Sequence, residues 1–253
     1  EIYTLSLHDA LPILAGSQAD RGAATLGAAA GYTHTSLGEE GTSSSGAIDS
    51  VRMALYGAVP SGPVHLSGTF GYGLHFLSQK RAFGALGSAE GNHLGHEFSV
   101  SMQASLPVQM DTFELAPSAG LRYVYVRGSA FGESGAGGQN LQVGPDNVRS
   151  LQPNAGIALL GRFGENALPS SFQLRVGYAY EALAAGRAVR VISQDGTLFS
   201  APGNHLPRSF MTADAALLLR TGKTTTVSLG VGALINTSHV ASQSASLRLN
   251  HQF

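Results

Sequence analysis

"SFQLRVGYAYEAL", Ser171 to Leu183, is the stretch on which the reading of this chain turns. Phe172, Leu174, Val176, Tyr178 and Tyr180 alternate with Gln173, Arg175, Gly177, Ala179 and Glu181. Successive side chains of a strand point to opposite faces, so the stretch makes one apolar and one polar surface. The same period runs through "DTFELAPSAGLRYVYV", where Phe113, Leu115, Leu121, Tyr123 and Tyr125 oppose Glu114, Ser118, Gly120 and Arg122. It returns in "HEFSVSMQASL" from His96 and in "VHLSGTFGYGLHF" from Val64. Similar runs occupy roughly 24–36, 47–58, 150–163, 209–220, 224–236 and 242–253. About ten strands are expected, most of them long enough to cross a bilayer when tilted, which takes ~9–11 residues.

Composition narrows the class. Lys and Arg total 15 against 16 Asp and Glu, which leaves no basic footprint for a nucleic-acid partner. Charged residues make up only 12% of the chain, about half the share usual in soluble domains. There is no Cys, so disulfides and thiolate metal sites are excluded. No apolar run approaches the length of a membrane-spanning helix. A chain so poor in charge, yet without a spanning helix, fits a membrane β-barrel, whose strands alternate and never form a long apolar run.

A soluble sandwich also alternates, with its apolar face inward. The connections argue against it. "TSLGEEGTSSSG", "LSQKRAFGALGSAEGNHLG", "GSAFGESGAGGQNLQVGPDNV" and "AAGRAVRVISQDGTLFSAPGNHLP" are long. Between them come the short "VPSGP", "PVQM", "GENALPS" and "TGK". Long loops at one end and short turns at the other are the mark of outer-membrane barrels. Hydrocarbon cannot satisfy backbone polar groups, so the sheet must close. The face of Phe172 to Tyr180 is then expected to meet outer-membrane lipid. Arg122, Arg175 and Glu181 are expected to face the lumen, where Gly71, Gly73, Gly177, Gly230 and Gly232 leave room.

The opening "EIYTLSLHDALPI", Glu1 to Ile13, reads differently. It has no basic start, and His8 and Asp9 interrupt its apolar residues, so it is not a signal peptide. All thirteen residues back-translate, in frame, to an adapter oligonucleotide of short-read DNA sequencing. We read 1–13 as adapter-derived and 14–253 as a barrel domain incomplete at its N-terminus.

Three local motifs point elsewhere and fail. "TGKTTT" echoes a P-loop, but Leu217 stands where the motif needs its first Gly, and the setting is a hairpin turn. His93 and His96, read as lying in a loop, have a spacing that suits a helix and no third ligand nearby. "FGESGAGG" has Ala136 where a nucleophile elbow needs Gly after Ser134. Arg122, Arg175, Glu114 and Glu181 read as a solvated lumen wall, not as an acid–base set. No catalytic residue, cofactor or metal is expected, and the chain is expected not to be an enzyme.

The residues also resemble a known family, the C-terminal translocator barrel of autotransporters (type V secretion). The likeness lies in "AAAGYTHTSLG", "SVRMALYGAV", "FGYGLHF" followed by Arg81, "LRVGYAYE" and "SASLRLNHQF". The most specific stretch is "FELAPSAGLRYVYVRGSAFGESGAGGQNLQV", with Pro117, Gly120, Tyr123, Glu133 and Gly135 in order. The likeness covers essentially all of 20–253. It implies a Gram-negative outer-membrane location, a barrel of about twelve strands and an α-helix in the pore. That helix would join the barrel to an N-terminal passenger, which the barrel carries to the cell surface. About ten of those strands are expected here, the missing pair, pore helix and passenger lying before Leu14. The resemblance further implies that Phe253 is a signal read by the barrel-assembly machinery, with Leu249 and Leu247 keeping the apolar register behind it. His251 departs from the more usual aromatic or apolar residue. The alternative is a stand-alone outer-membrane porin-like or adhesin barrel.

Overall fold

The computed structural model describes residues 13–21, 24–38, 42–164, 170–183, 188–202, 208–222, 224–236 and 240–251. The strands are β1 (Ile13–Arg21), β2 (Ala24–Gly38), β3 (Ser45–Ser61), β4 (Val64–Ala82), β5 (Ser88–Ser105), β6 (Val108–Gln109), β7 (Phe113–Gly128) and β8 (Phe131–Gly132). They continue with β9 (Leu141–Val143), β10 (Asp146–Phe163), β11 (Ser170–Tyr180), β12 (Ala188–Ser193), β13 (Leu198–Pro202), β14 (Ser209–Arg220), β15 (Thr225–Asn236) and β16 (Val240–His251). Among the described residues no helix is long and apolar enough to cross a membrane.

One antiparallel sheet holds the long strands in the order β1-β2-β3-β4-β5-β7-β10-β11-β14-β15-β16, with β6 a short addition to β7. Each long strand pairs with the next in sequence. The Gly62–Pro63 turn shows why register is firm: Ser61 faces Val64 across it, and Gly62 takes a φ of 60°. That conformation costs glycine little and suits a two-residue hairpin.

The ten expected strands are present, and an eleventh precedes them. β1 pairs with β2 over nine residues, from Ile13–Tyr32 to Arg21–Ala24. It escaped the sequence reading because "ILAGSQADR" is dominated by small side chains, which give little contrast between faces. Residues Glu1 to Pro12 of the adapter-like segment lie outside the described residues, as does Phe253.

Cross-strand partners share a face, which fixes the polarity of the sheet. The convex face carries Leu26, Met53, Leu55, Phe70, Phe98, Met102, Leu121, Val176, Val231 and Leu247, all exposed, with Met102 at 67% and Leu247 at 73%. Among the described residues no large apolar side chain is fully buried. A water-soluble sheet protein would gain roughly 25 cal/mol per Å2 by hiding these side chains, and this one does not. The apolar surface is turned outward, as a bilayer requires.

Strands β3, β4, β5, β7 and β10 run to 16–19 residues, beyond what a bilayer needs. The expected long connection "LSQKRAFGALGSAEGNHLG" is therefore mostly strand. Only residues 83–87 lie between β4 and β5, and they hold a single 3-10 turn. The two longest connections also fold: they supply a second sheet, β13-β12-β9-β8. Between this sheet and the projecting wall lies a cavity of about 750 Å3.

Candidate functional site

The concave face of the wall concentrates the polar chemistry. Ser50 on β3, His75 on β4 and Glu97 on β5 are brought together by register, Ser50 facing His75 and Gly73 facing Glu97. Ser50 Oγ lies 2.7 Å from His75 Nδ1, and His75 Nε2 lies 3.2 Å from Glu97 Oε2. Arg52 donates from Nη2 to the same Glu97 oxygen at 3.0 Å. Arg52 and Glu97 sit on strands separated by β4, and the residue between them is Gly73. A Cβ on Gly73 would meet His75 Nε2 at 3.1 Å, Glu97 Cβ at 3.3 Å and Arg52 Cγ at 3.4 Å. The glycine is what lets the arginine reach across. Ser50 and His75 are 5% and 8% exposed, and both imidazole nitrogens are engaged. Paired in this way, Arg52, His75 and Glu97 brace three strands.

Higher up, the same face receives the β7–β10 connection. The Glu133 side chain is fully buried. It accepts hydrogen bonds from Arg81 Nε at 2.8 Å, Gln79 Nε2 at 3.1 Å and the Leu141 amide at 2.9 Å. Arg81 Nη2 bonds the second carboxylate oxygen and also donates to the Gln139 carbonyl. Burial alone would raise the Glu133 carboxyl; the Arg81 guanidinium and the Leu141 and Gln79 donors outweigh it and hold it below the usual carboxylate range. Phe131 lies flat on His93, centroids 4.3 Å apart, above Gly91, where a Cβ would come within 2.7 Å of the ring. The connection is thus latched to β4 and β5 by one ion pair and one ring stack.

The residues singled out by sequence fall as follows. Glu181 follows β11 and is buried; it accepts from Ser150 Oγ, Gln152 Nε2 and the amides of Leu151 and Leu183. Arg122 is exposed and faces Ser101 and Gln152 across its neighbours. Arg175 faces Ala158 and Asp214. By register Arg122 and Arg175 share the face of Ser50, His75 and Glu97, and Glu181 bonds Ser150 and Gln152 of that face. Glu114 faces Leu160 on the same side. Tyr123, Tyr178 and Tyr180 are exposed on the other side. Leu247 and Leu249 are exposed beside Leu229 and Val227.

His93 and His96 lie in strand β5, not in a loop, so they point to opposite faces: His93 packs on Phe131 and His96 bonds Tyr72. Ser134 is used structurally, its amide and carbonyl bonding the backbone of Glu90. Thr221 closes the β14–β15 hairpin through its amide to the Thr225 carbonyl. The alternating stretches from Val64 and His96 contain His75 and Glu97, but sequence reasoning did not join them to Ser50 and Arg52.

The profile of the family described as the autotransporter beta-domain matches residues 12–232. The fold resembles the translocator domain of autotransporter NalP from Neisseria meningitidis, with a TM-score of 0.77 and 18% identity, over 95% of this chain and 78% of that one. It also resembles the transport unit of the autotransporter AIDA-I from Escherichia coli, with a TM-score of 0.66 and 15% identity, over 95% of this chain and 81% of that one. No curated protein matches the chain.

Proposed function

Because the chain belongs to the autotransporter β-domain family, it is an outer-membrane β-barrel of a Gram-negative bacterium that translocates a passenger domain, and we propose that its concave face is the wall of the translocation pore. Arg122, Arg175 and Glu181 then face the lumen, with the braced Ser50–His75–Glu97–Arg52 network as part of the same wall. One observation carries this reading: large apolar side chains are exposed on the convex face while polar groups bond one another on the concave face.

Domains of this family act as transport units, and we take the chain to be non-enzymatic. Ser50, the hydroxyl nearest an imidazole, is buried, and its histidine partner holds Glu97 with the other nitrogen. The convex face meets outer-membrane lipid. A pore helix and an N-terminal passenger are the partners of the lumen. Phe253, with Leu249 and Leu247 in register behind it, serves the barrel-assembly machinery as a targeting signal.

Eleven strands alternate in direction, so β1 and β16 run the same way. Pairing them directly would make a parallel junction. One further strand between them closes the sheet antiparallel, with the even strand number usual in bacterial barrels, and leaves no edge in hydrocarbon. Residues Glu1 to Ile13 are of adapter origin in this reading, which amplification and sequencing across the locus tests.

The functional test is surface display. The barrel is joined to its pore helix and an epitope-tagged passenger and expressed behind a signal peptide. Protease added to intact cells should remove the epitope. An epitope that stays protected while the barrel is folded in the outer membrane would refute translocation.

A further inference from the structure

The convex face changes character on β7 and β10, at the ends that carry their long connection. On β7 the apolar series Leu121, Tyr123 and Tyr125 gives way to Arg127, and on β10 Leu151 gives way to Arg149 and Asn147. Arg149 faces Tyr125 and Arg127 faces Asn147, so the two arginines are diagonal neighbours, ~7–8 Å apart at Cα. Both are exposed. The Arg149 guanidinium rests 5.8 Å from the Tyr125 ring centroid, which holds it along the strand. Tyr125 donates its hydroxyl to Asn147 Oδ1 at 3.3 Å, which leaves the amide Nδ2 of Asn147 free to donate. His96, whose Nδ1 is within 2.8 Å of the Tyr72 hydroxyl, faces Arg127 from β5.

No acid answers these cations. Among the described residues neither Arg127 nor Arg149 takes part in an ion pair. Of the acids on β5, β7 and β10, Glu97, Glu114 and Asp146 fall on the concave side. Glu90, convex but much higher, is held by Lys80 at 3.4 Å. The tyrosines mark the level. Aromatic girdles sit where the apolar band meets the headgroups. Arg149 stands level with Tyr125 and Arg127 one step beyond it, on the side of the long connections, which is the cell-surface side. Guanidinium pairs are suited to bidentate contact with phosphate.

We infer that Arg127, Arg149 and Asn147 form a binding site for the phosphate of an outer-leaflet glycolipid of the lipid A type, with His96 at its edge. The inference rests on the reading of the convex face as lipid-facing. The site ties the projecting wall to the outer leaflet at β7 and β10, next to the connection that Glu133 latches.

The test uses the full chain in detergent and in phosphatidylcholine vesicles. Native mass spectrometry counts retained diphosphorylated lipid A against its dephosphorylated form. The wild type should retain the diphosphorylated lipid at least about 10-fold better. The pair Arg127→Ala and Arg149→Ala should abolish that preference, the pair Arg127→Lys and Arg149→Lys should keep part of it, and Arg162→Ala on the concave face should keep all of it. Equal retention by wild type and the double alanine variant, where the lysine pair confirms a folded chain, overturns the site alone. Full displacement by millimolar inorganic phosphate overturns the assignment to a lipid. Failure of the wild type to insert into vesicles overturns the site together with the lipid-facing reading.

Discussion

Val176→Arg puts the orientation of the sheet to a quantitative test. Val176 lies on the convex face of β11, 47% exposed, between Ile157 and Ala213 in register. Phe172 and Tyr180 stand four residues away on either side of it. At ~3.3 Å per residue and a tilt of ~40°, each lies ~10 Å away along the membrane normal. The two aromatics therefore bracket most of an apolar band ~25 Å tall, and Val176 sits near its middle. An arginine there should cost ~2–4 kcal/mol, or about 30- to 800-fold in the ratio of folded to unfolded chain. Gln173→Arg, on the other face of the same strand, should cost less than ~0.5 kcal/mol. The assay is urea-dependent folding into phosphatidylcholine vesicles, read by the heat-modifiable shift on a gel. Equal costs at the two positions, or a larger cost at Gln173, would refute the face assignment.

Replacing Gly73 by Val should push Arg52 away from Glu97 and cost ~1–3 kcal/mol by overpacking, measured in the same titration; an unchanged midpoint would mean the crossing does not depend on the glycine. Glu133→Gln keeps the shape of the latch but leaves Arg81 without its counter-charge, so protease should cut the β8–β9 segment faster while the membrane strands stay protected. The Glu133 carboxyl is held low in the folded chain, so its contribution is present above the unfolded value, ~4.3, and is lost as pH falls through the folded one. Protection of the Leu141 amide in hydrogen exchange should thus be constant from pH 8 to about 5 and decline only in stronger acid. Deleting Phe253 should lower the amount of heat-modifiable barrel in cells without changing the folding midpoint in vesicles; equal cellular yields would remove its targeting role.

The long strands were legible because large side chains alternate with polar ones, and the membrane itself forces that contrast. β1 was not, since Ala, Gly and Ser mark neither face. The brace at Ser50 and His75 was within reach: once the Gly62–Pro63 turn sets Ser61 against Val64, Ser50 must face His75. The contribution of Glu97 was not, because residues 83–87 give no turn signal that fixes the β4–β5 register. The second sheet hid inside connections read as loops. Its one clear trace was "AVRVISQDGTLFS", where Asp195–Gly196 turns β12 into β13 with Gly196 at a φ of 85°. Glu133 and Arg81 stood out only through a family resemblance, since no local pattern joins residues 52 positions apart.

The absence of cysteine from all 253 residues makes the most direct test a clean one. Single cysteines placed in turn from Phe172 to Tyr180 are labelled in intact outer membranes with a water-soluble maleimide, with and without a passenger stalled in transit. The account predicts a period of two. Positions 173, 175, 177 and 179 should react and become protected when the passenger is stalled, whereas 174, 176 and 178 should stay unreactive in both states. Labelling without alternation, or concave positions that the stalled passenger fails to protect, would contradict the claim that this face lines the path of translocation.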